Sequence, residues 1–388
     1  MTTKILIFEE IFRILMEPSS VFNAKFVIDG LAMESTPFQL LDECTLQPSG
    51  IVPEGKVRDI IDETIDPAPT AFTFDTAKIP AYIHKINSSS GVFPMAYPAF
   101  GARRSVASAL TECIWNKGHF GLDDIDLTIC WKWDSSKIGN MASFYTCVDE
   151  ACKYIYDLGV KVYDFSYDES GRCRMECNPD ADECNGIDKA GDFLENDGEV
   201  SMGDRRKCPS RAIQDRESWI IYIPFDTCSF RLGGSALSAL AGNASDSAPG
   251  INDPDYFQDC FEIVREMVED GVALSGVGVG RGGLVCAAAK LCEKTGTDLD
   301  ISGICSAYEE NSLARILFGE TPGVLLQIRD TDYDYLDSQC LLQDIAYYPV
   351  GHPGSKGGRI NIKQSSKPAV SGILEALLRS REASEGED

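Results

Sequence analysis

The glycines in residues 276–283 form the densest group of residues with a recognised chemical use. The sequence Gly-Val-Gly-Val-Gly-Arg-Gly-Gly follows an apolar segment and precedes a helical pattern. In that arrangement, backbone amides at a helix N-terminus can hold a phosphate group. Gly278, Gly280 and Gly283 also match the Gly-x-Gly-x-x-Gly spacing of dinucleotide-binding loops, although no clear βαβ unit follows them. Phosphate binding and a glycine turn without a ligand therefore both stay open.

A second glycine turn lies in residues 231–237, with the sequence Arg-Leu-Gly-Gly-Ser-Ala-Leu. Gly233 and Gly234 precede Ser235, whose hydroxyl is well placed to cap the helix that begins after it. A tight strand–helix turn explains this segment without any ligand.

The cysteines and histidines give weaker evidence for a functional site than the glycine turns do. The cysteines with metal-like clustering have spacings that differ from the paired ligands of structural zinc sites, and loop thiols without a metal are the simpler interpretation. These zinc candidates are Cys173, Cys177, Cys184 and Cys208. None of the three histidines adjoins a glycine turn or a nucleophile pattern in the sequence, so the sequence gives little support for a hydrolase triad. They are His84, His119 and His352.

Charge and composition argue against several classes of function. The chain has 388 residues, 44% of them hydrophobic, and 35 basic against 61 acidic residues give a net charge of −26. So acidic a surface repels nucleic acid and anionic lipid, so we expect neither as a partner. No apolar run is long enough to span a bilayer, and we expect no signal or transit peptide. The 15 scattered cysteines predict a reducing intracellular compartment, the cytoplasm first.

Helical and alternating patterns succeed one another along the chain. Helices are predicted at 4–16, 103–115, 141–158, 255–270 and from 283, and strands at 71–74, 125–131, 160–165, 219–223 and 324–328. This alternation predicts a mixed α/β protein. The stretch 178–200 has eight acidic residues and one lysine, which predicts an acidic boundary loop. We therefore expect domains at 1–190 and 205–380, followed by a charged tail at 381–388.

Four segments, taken together, resemble formylglycinamidine ribonucleotide (FGAM) synthase. The similarity is to the second synthetase half of that enzyme, in the AIR-synthase-like superfamily, without the glutaminase domain. The segments are residues 97–112 (YPAFGARRSVASALTE), 231–237 (RLGGSAL), 282–285 (GGLV) and 316–324 (ILFGETPGV). The resemblance covers roughly residues 10–380. It implies a two-domain fold with an N-terminal sheet domain and a C-terminal α/β domain.

The resemblance also shows which groups are missing. Where the family has His-Asp-x-Ser-Asp-Gly-Gly, this chain has residues 277–283, Val-Gly-Val-Gly-Arg-Gly-Gly. The imidazole and both carboxylates are gone, so the groups that would hold magnesium between nucleotide phosphates are absent there. The resemblance leaves a set of possible phosphate-loop or nucleotide-loop remnants, with no catalytic residue: Gly233, Gly234, Ser235, Arg281, Gly282, Gly283, Arg103 and Glu320.

These losses predict a catalytically inactive protein that serves as a structural or interaction subunit of a larger assembly and needs no cofactor. Two alternatives stay open. One is a divergent FGAM synthase chain, an ATP-dependent C–N ligase of purine biosynthesis that works with a partner half. The other is a regulatory subunit that binds ADP or ATP with Mg without turnover. The resemblance implies that the N-terminal sheet pairs with a second sheet to close a barrel. We therefore expect a protein partner or a homodimer, because a lone sheet would expose an apolar face.

Overall fold

The computed structural model describes residues 21–46, 48, 59–68, 70–89, 97–116, 118, 120–181, 208–213, 217–242, 246–354 and 358–364. The chain divides into two compact units. Unit 1 consists of Met1–Ala68, Gly91–Val106 and Asp123–Asn185, and unit 2 consists of Pro69–Ser90, Ala107–Leu122 and Gly186–Asp388. Both units contain helices and sheets, which confirms the predicted mixed α/β class. The predicted domain limits at 190 and 205 stay a prediction.

The elements of the described residues are numbered in chain order. The helices are α1 (Pro37–Glu43), α2 (Ile79–Ser88), α3 (Pro98–Asn116), α4 (Asn140–Asp157), α5 (Ala236–Leu240), α6 (Pro254–Glu269), α7 (Gly283–Leu291), α8 (Ser302–Ala307), α9 (Leu313–Phe318) and α10 (Tyr333–Leu342). The strands are β1 (Phe26–Ile28), β2 (Leu31–Ala32), β3 (Ile60–Asp62), β4 (Ile125–Trp133), β5 (Lys161–Glu169), β6 (Arg174–Ala181), β7 (Ser218–Pro224), β8 (Ser275–Val279), β9 (Thr297–Asp300), β10 (Gly323–Arg329), β11 (Tyr348–Gly351) and β12 (Ile360–Lys363). No helix within these described segments is long and apolar enough to cross a bilayer.

In unit 1, the main sheet has the strand order β5-β4-β6, with β5 parallel and β6 antiparallel to β4. Alternate residues of β4 are buried against α4, and both indoles on that face are held there. The Trp131 indole donates to Cys147 Sγ at 3.3 Å, and the Trp133 indole donates to the carbonyl of Asn140 at 2.7 Å. A period of two thus fixes which face of the strand enters the core.

The opposite face of the same sheet is polar. Cys130 and Lys132 of β4 lie there, and Lys132 forms an ion pair with Glu176 of β6 at 2.7 Å. Asp168 of β5 accepts a hydrogen bond from the Cys130 thiol at 3.6 Å. The expectation of an apolar open face is therefore wrong for these strands, because charged residues occupy the positions that alternate with the buried tryptophans.

Two predicted boundaries differ from the structure. Residues 71–74 form no strand, although an aromatic-rich run of this kind is typical of one. Residues 178–181, assigned to the acidic loop, belong to β6 and pair with β4. Strand pairing overrides the polar composition there. Residues 182–200, the predicted helix at 4–16 and the tail at 381–388 lie outside the described residues.

Unit 2 contains an antiparallel sheet of order β11-β7-β10-β8. The central strand β10 is buried at six of its seven positions, so both of its faces are covered. Helix α7 lies directly after β8 and packs on it, with its residues Leu284, Val285 and Ala288 in the core. A second, two-stranded parallel sheet pairs β12 with β9. This arrangement places the two glycine turns at the start of α5 and α7.

Candidate functional site

Strand β8 and the residue after it carry glycine at alternate positions, all facing one helix. A Cβ added to Gly276 would overlap the Trp115 ring. A Cβ at Gly278 would lie 2.9 Å from the Thr111 hydroxyl, and one at Gly280 would lie 2.7 Å from the Ser108 hydroxyl. The three glycines share a face because strand side chains alternate. They allow α3 to lie directly against the strand.

The contacting residues of α3 follow the helical repeat. Positions 108, 111 and 115 are separated by three and four residues, so they form one stripe of the helix. On the other face of the strand, Val277 and Val279 are 0% and 1% exposed and belong to the core of unit 2. Close packing between strand and helix therefore accounts for the first part of the glycine-rich stretch.

The second part of the stretch makes a turn that requires glycine for a different reason. Gly282 and Gly283 have φ angles of +83° and +67°, a region that side chains with a Cβ rarely adopt. A Cβ at Gly283 would also lie 2.7 Å from the Leu317 carbonyl and 2.8 Å from the Gly319 carbonyl. This turn ends β8 and begins α7, so the N-terminal amides of that helix start here.

The other glycine turn is braced by its own neighbours. Ser235 caps α5 as predicted: its hydroxyl accepts the N–H of Ser238 at 3.1 Å. Gly233 donates its N–H to the carbonyl of Ser247 at 2.8 Å, with no room for a side chain between them. The carboxylate of Asp246 accepts the N–H of Leu232 at 2.8 Å.

An arginine holds that carboxylate in turn. Arg315 of α9 donates to both oxygens of Asp246, at 3.0 and 2.9 Å, and to Glu310 at 3.1 Å. A bidentate pair of this kind fixes orientation as well as distance. The brace therefore makes the turn rigid through side chains that lie far apart in the sequence.

Both turns converge on one buried carboxylate. Oε1 of Glu320, which is 0% exposed, accepts the N–H of Ala236 at 2.8 Å and the N–H of Gly282 at 2.7 Å. These donors lie at the N-termini of α5 and α7, where the helix dipole favours a negative charge. The carboxylate of Glu320 thus accepts the hydrogen bonds that these backbone amides would otherwise donate to a bound phosphate.

The two arginines among the candidate residues are engaged elsewhere. Arg281 donates to the carbonyl and the hydroxyl of Ser89 at 2.9 and 2.6 Å, just after the end of α2. Arg103 lies in unit 1, where it pairs with Glu150 of α4 at 2.6 Å. Both interactions serve to join helices and loops within their own units.

The Cys286 thiol, next to Gly282, is poorly suited to act as a nucleophile. Its pKa is raised to about 12, mainly by burial; the charge of Glu320 contributes to this rise and that of Arg281 opposes it. A thiol with so high a pKa is protonated at neutral pH and reacts slowly.

The zinc candidates do not form a ligand set among the described residues. No group of three or more His, Cys, Asp or Glu side chains in this part of the chain could hold a metal. Cys173 and Cys177 belong to unit 1, and Cys208 belongs to unit 2, where its thiol donates to the Ala273 carbonyl at 2.9 Å. Cys184 lies outside the described residues, so the four-cysteine site stays a prediction.

Two of the three histidines lie among the described residues. His352 contacts the Ser218 carbonyl through Nδ1 at 2.8 Å, and its ring packs against that of Trp219 at an interplanar angle of 46°. His84 lies within α2, and His119 is outside the described residues.

Sequence reasoning included Glu320 as a remnant of the site but did not identify what it contacts. It also missed the stripe on α3. The signal for the stripe was present, because small or flat residues at 108, 111 and 115 repeat at helical spacing while glycines alternate at 276, 278 and 280. No comparable signal links Glu320 with Ala236 and Gly282.

Comparison with known proteins confirms the predicted resemblance. The chain is 24% identical over 259 residues to the probable chloroplastic/mitochondrial phosphoribosylformylglycinamidine synthase of Arabidopsis thaliana, covering 66% of this chain and 17% of that protein. It is 29% identical over 167 residues to the phosphoribosylformylglycinamidine synthase subunit PurL of Methanocaldococcus jannaschii, covering 42% of this chain and 22% of that subunit. The chain thus matches less than a quarter of the length of either relative.

No family profile matches the chain. Among solved structures, Thermotoga maritima PurL complexed with ATP aligns with a TM-score of 0.48 at 11% identity, over 74% of this chain and 47% of that one.

Proposed function

We propose that this chain is a catalytically inactive relative of FGAM synthase that serves as a structural or interaction subunit of a larger assembly. The observation that carries the proposal is the pair of hydrogen bonds from Ala236 and Gly282 to the buried carboxylate of Glu320. A phosphate arriving at these helix N-termini meets a fixed negative charge and amides that are already bonded. Binding a triphosphate there requires displacing Glu320 from a fully buried position.

Magnesium does not fit the residues that stand where the resemblance places its ligands. Positions 277–281 hold no carboxylate, and Val277 and Val279 are buried in the core. A carboxylate-bearing side chain at position 278 would clash with α3, because its Cβ alone would lie 2.9 Å from the Thr111 hydroxyl. Hard divalent cations need several oxygen ligands. These residues therefore support no phosphoryl transfer at this site.

A role in an assembly is supported by sequence and by surface. The similar M. jannaschii protein is named as a subunit. The β5-β4-β6 sheet has a charged face that includes Lys132 and Glu176, so a partner on this face would meet it through polar contacts. We propose as the partner a second copy of this chain, another AIR-synthase-like chain or another subunit.

Isothermal titration with Mg-ATP and with ADP tests the proposal. We expect no saturable heat from either ligand, and no stabilisation in a thermal-shift assay. Tight, magnesium-dependent ATP binding contradicts the proposal. Binding of ADP without hydrolysis supports instead a nucleotide-binding regulatory subunit. Light scattering at micromolar concentration tests the assembly, and a stable monomer counts against a homodimer.

Sequence similarity over 259 residues to a phosphoribosylformylglycinamidine synthase supports a second candidate, a divergent FGAM synthase chain. Such a chain would make FGAM from formylglycinamide ribonucleotide, ATP and an ammonia source together with a partner half. Assaying FGAM formation after mixing the chain with a partner synthetase half separates the two. Product that depends on this chain establishes the enzyme, and its absence supports the inactive subunit.

A further inference from the structure

The C-terminal end of α10 presents two adjacent leucines to solvent. Leu341 is 78% exposed and Leu342 is 79% exposed, more than any other large apolar side chain among the described residues. A surface cleft adjoins them, and the buried residues Cys340 and Ile345 contribute to its lining. We call this feature the leucine surface: Leu341 and Leu342 with the cleft beside them. Exposed apolar surface next to a concave site is typical of a protein contact.

The rim of the leucine surface is acidic. Asp337 and Asp344 line the cleft, and residues 337–344 contain no lysine or arginine. The hydroxyl of Tyr347 donates to Asp337 at 2.6 Å and holds that carboxylate in place. The arginine before this segment, Arg329, lies 3.8 Å from Asp332 at the other end of α10.

Helix α10 adds to this negative potential. Its last turn, which ends at Leu342, contains no basic residue. The carbonyl end of a helix carries a partial negative charge, and a cation placed there is favourable. Within α10 no side chain supplies that cation, so a partner's lysine or arginine can do so.

We propose that the leucine surface binds a basic amphipathic segment of a partner protein. The partner's apolar side chains bury Leu341 and Leu342, and its lysines or arginines face Asp337, Asp344 and the end of α10. A second copy of this chain is disfavoured, because a symmetric contact would bring the same aspartates together. Acidic peptides and nucleic acids are disfavoured by the same charge argument. The inference holds whether or not the chain binds nucleotide.

Fluorescence titration of the full chain with a labelled model helix made only of leucine and lysine tests the proposal. We expect saturable binding that weakens at high salt, and no binding of the matched helix in which glutamate replaces lysine. The double variant Leu341→Ser/Leu342→Ser should lower the affinity by about tenfold or more. The double variant Asp337→Asn/Asp344→Asn should lower it less and reduce its salt dependence.

Two control variants separate a specific site from general attraction to an acidic protein. Leu31→Ser removes a leucine that is 69% exposed in unit 1. Asp59→Asn/Asp66→Asn removes the same charge as the aspartate variant at exposed positions. Both controls should bind as the unmodified chain does. Equal binding by all variants, or no binding at all, overturns the proposal. Concentration-dependent dimers in sedimentation that Leu341→Ser/Leu342→Ser abolishes would also overturn it, in favour of a second copy.

Discussion

In residues 276–280, glycine is required because a helix occupies the space of a side chain, whereas in residues 282–283 it is required because of the backbone conformation. Gly276 faces the Trp115 ring in an ordinary strand conformation, and Gly282 has a φ of +83°. Only the second region places backbone amides where an anion can accept them, and there the acceptor is Glu320. A glycine-rich sequence thus reports close packing and a turn at once, and the two must be separated before a ligand is inferred.

The largest effect is expected from removing the acceptor in the turn region. Glu320→Ala removes the acceptor of the buried N–H of Gly282 and of the half-buried N–H of Ala236, and each such loss costs about 1–3 kcal/mol. We expect the free energy of unfolding to fall by about 4 kcal/mol in chemical denaturation. Glu320→Gln keeps an oxygen acceptor and should cost about 1 kcal/mol.

A surface glutamate provides the control for that experiment. Glu293 pairs with Arg211 at 2.8 Å while both side chains are more than half exposed. Glu293→Ala should change stability by less than about 1 kcal/mol. A loss from Glu320→Ala no greater than that of this control would show that the two turns do not depend on Glu320.

In the strand region, a larger side chain should lower the stability of the protein, and a smaller residue on the facing helix should restore it. Gly276→Ala places a methyl group in the Trp115 ring, and overpacking of this kind costs about 1–3 kcal/mol. Trp115→Phe removes the ring atoms in contact, and the indole N–H it loses has no hydrogen-bond partner among the described residues. In the Trp115→Phe background, Gly276→Ala should therefore cost less than about 1 kcal/mol. An unchanged cost in both backgrounds would refute close packing as the reason for this glycine.

The turn region should not be rescued in the same way. Gly282→Ala meets the Cys286 side chain, but it also forces alanine into the left-handed region, which alone costs about 1–2 kcal/mol. We expect a total loss of about 2 kcal/mol, of which about half or more persists when Cys286→Ala is added. Full recovery in the double variant would mean that packing, and not backbone conformation, selects this glycine.

The smallest effect is a dependence of stability on alkaline pH. Burial raises the pKa of Cys286 from 9.0 in the unfolded chain to about 12, so the folded state holds this proton more tightly. The resulting stabilisation is present below the unfolded pKa and is lost as pH rises toward the folded value. Between about pH 8 and about pH 10, this cysteine should contribute a loss of about 1 kcal/mol. Cys286→Ala should flatten that part of the curve. An identical slope in the variant would contradict the assignment.

Local patterns predicted much of unit 2 because its elements have strong periodicity and clear ends. The predicted helix at 255–270 is observed at Pro254–Glu269, and the strand at 324–328 is observed at Gly323–Arg329. Ser235 was predicted as a cap from its type and position alone, and its hydroxyl does accept the N–H of Ser238.

The remainder depends on contacts between distant residues. Ala236, Gly282 and Glu320 meet although 84 residues separate the first from the last and 38 separate the other two. Strand β6 was missed because polar residues such as Asn178 suggest a loop, whereas pairing with β4 makes them part of a sheet. Local propensity contains no information on either the hydrogen bonds to Glu320 or the pairing of β6 with β4. The sequence therefore predicted the glycine turns but not the carboxylate that accepts their N–H groups.

A crystal structure of the full chain grown with excess ATP and Mg²⁺ tests the central claim most directly. We predict that Glu320 still accepts the N–H groups of Ala236 and Gly282, with no triphosphate at either helix N-terminus. A triphosphate and a divalent cation bound at residues 233–235 and 281–283, with Glu320 displaced, would contradict it.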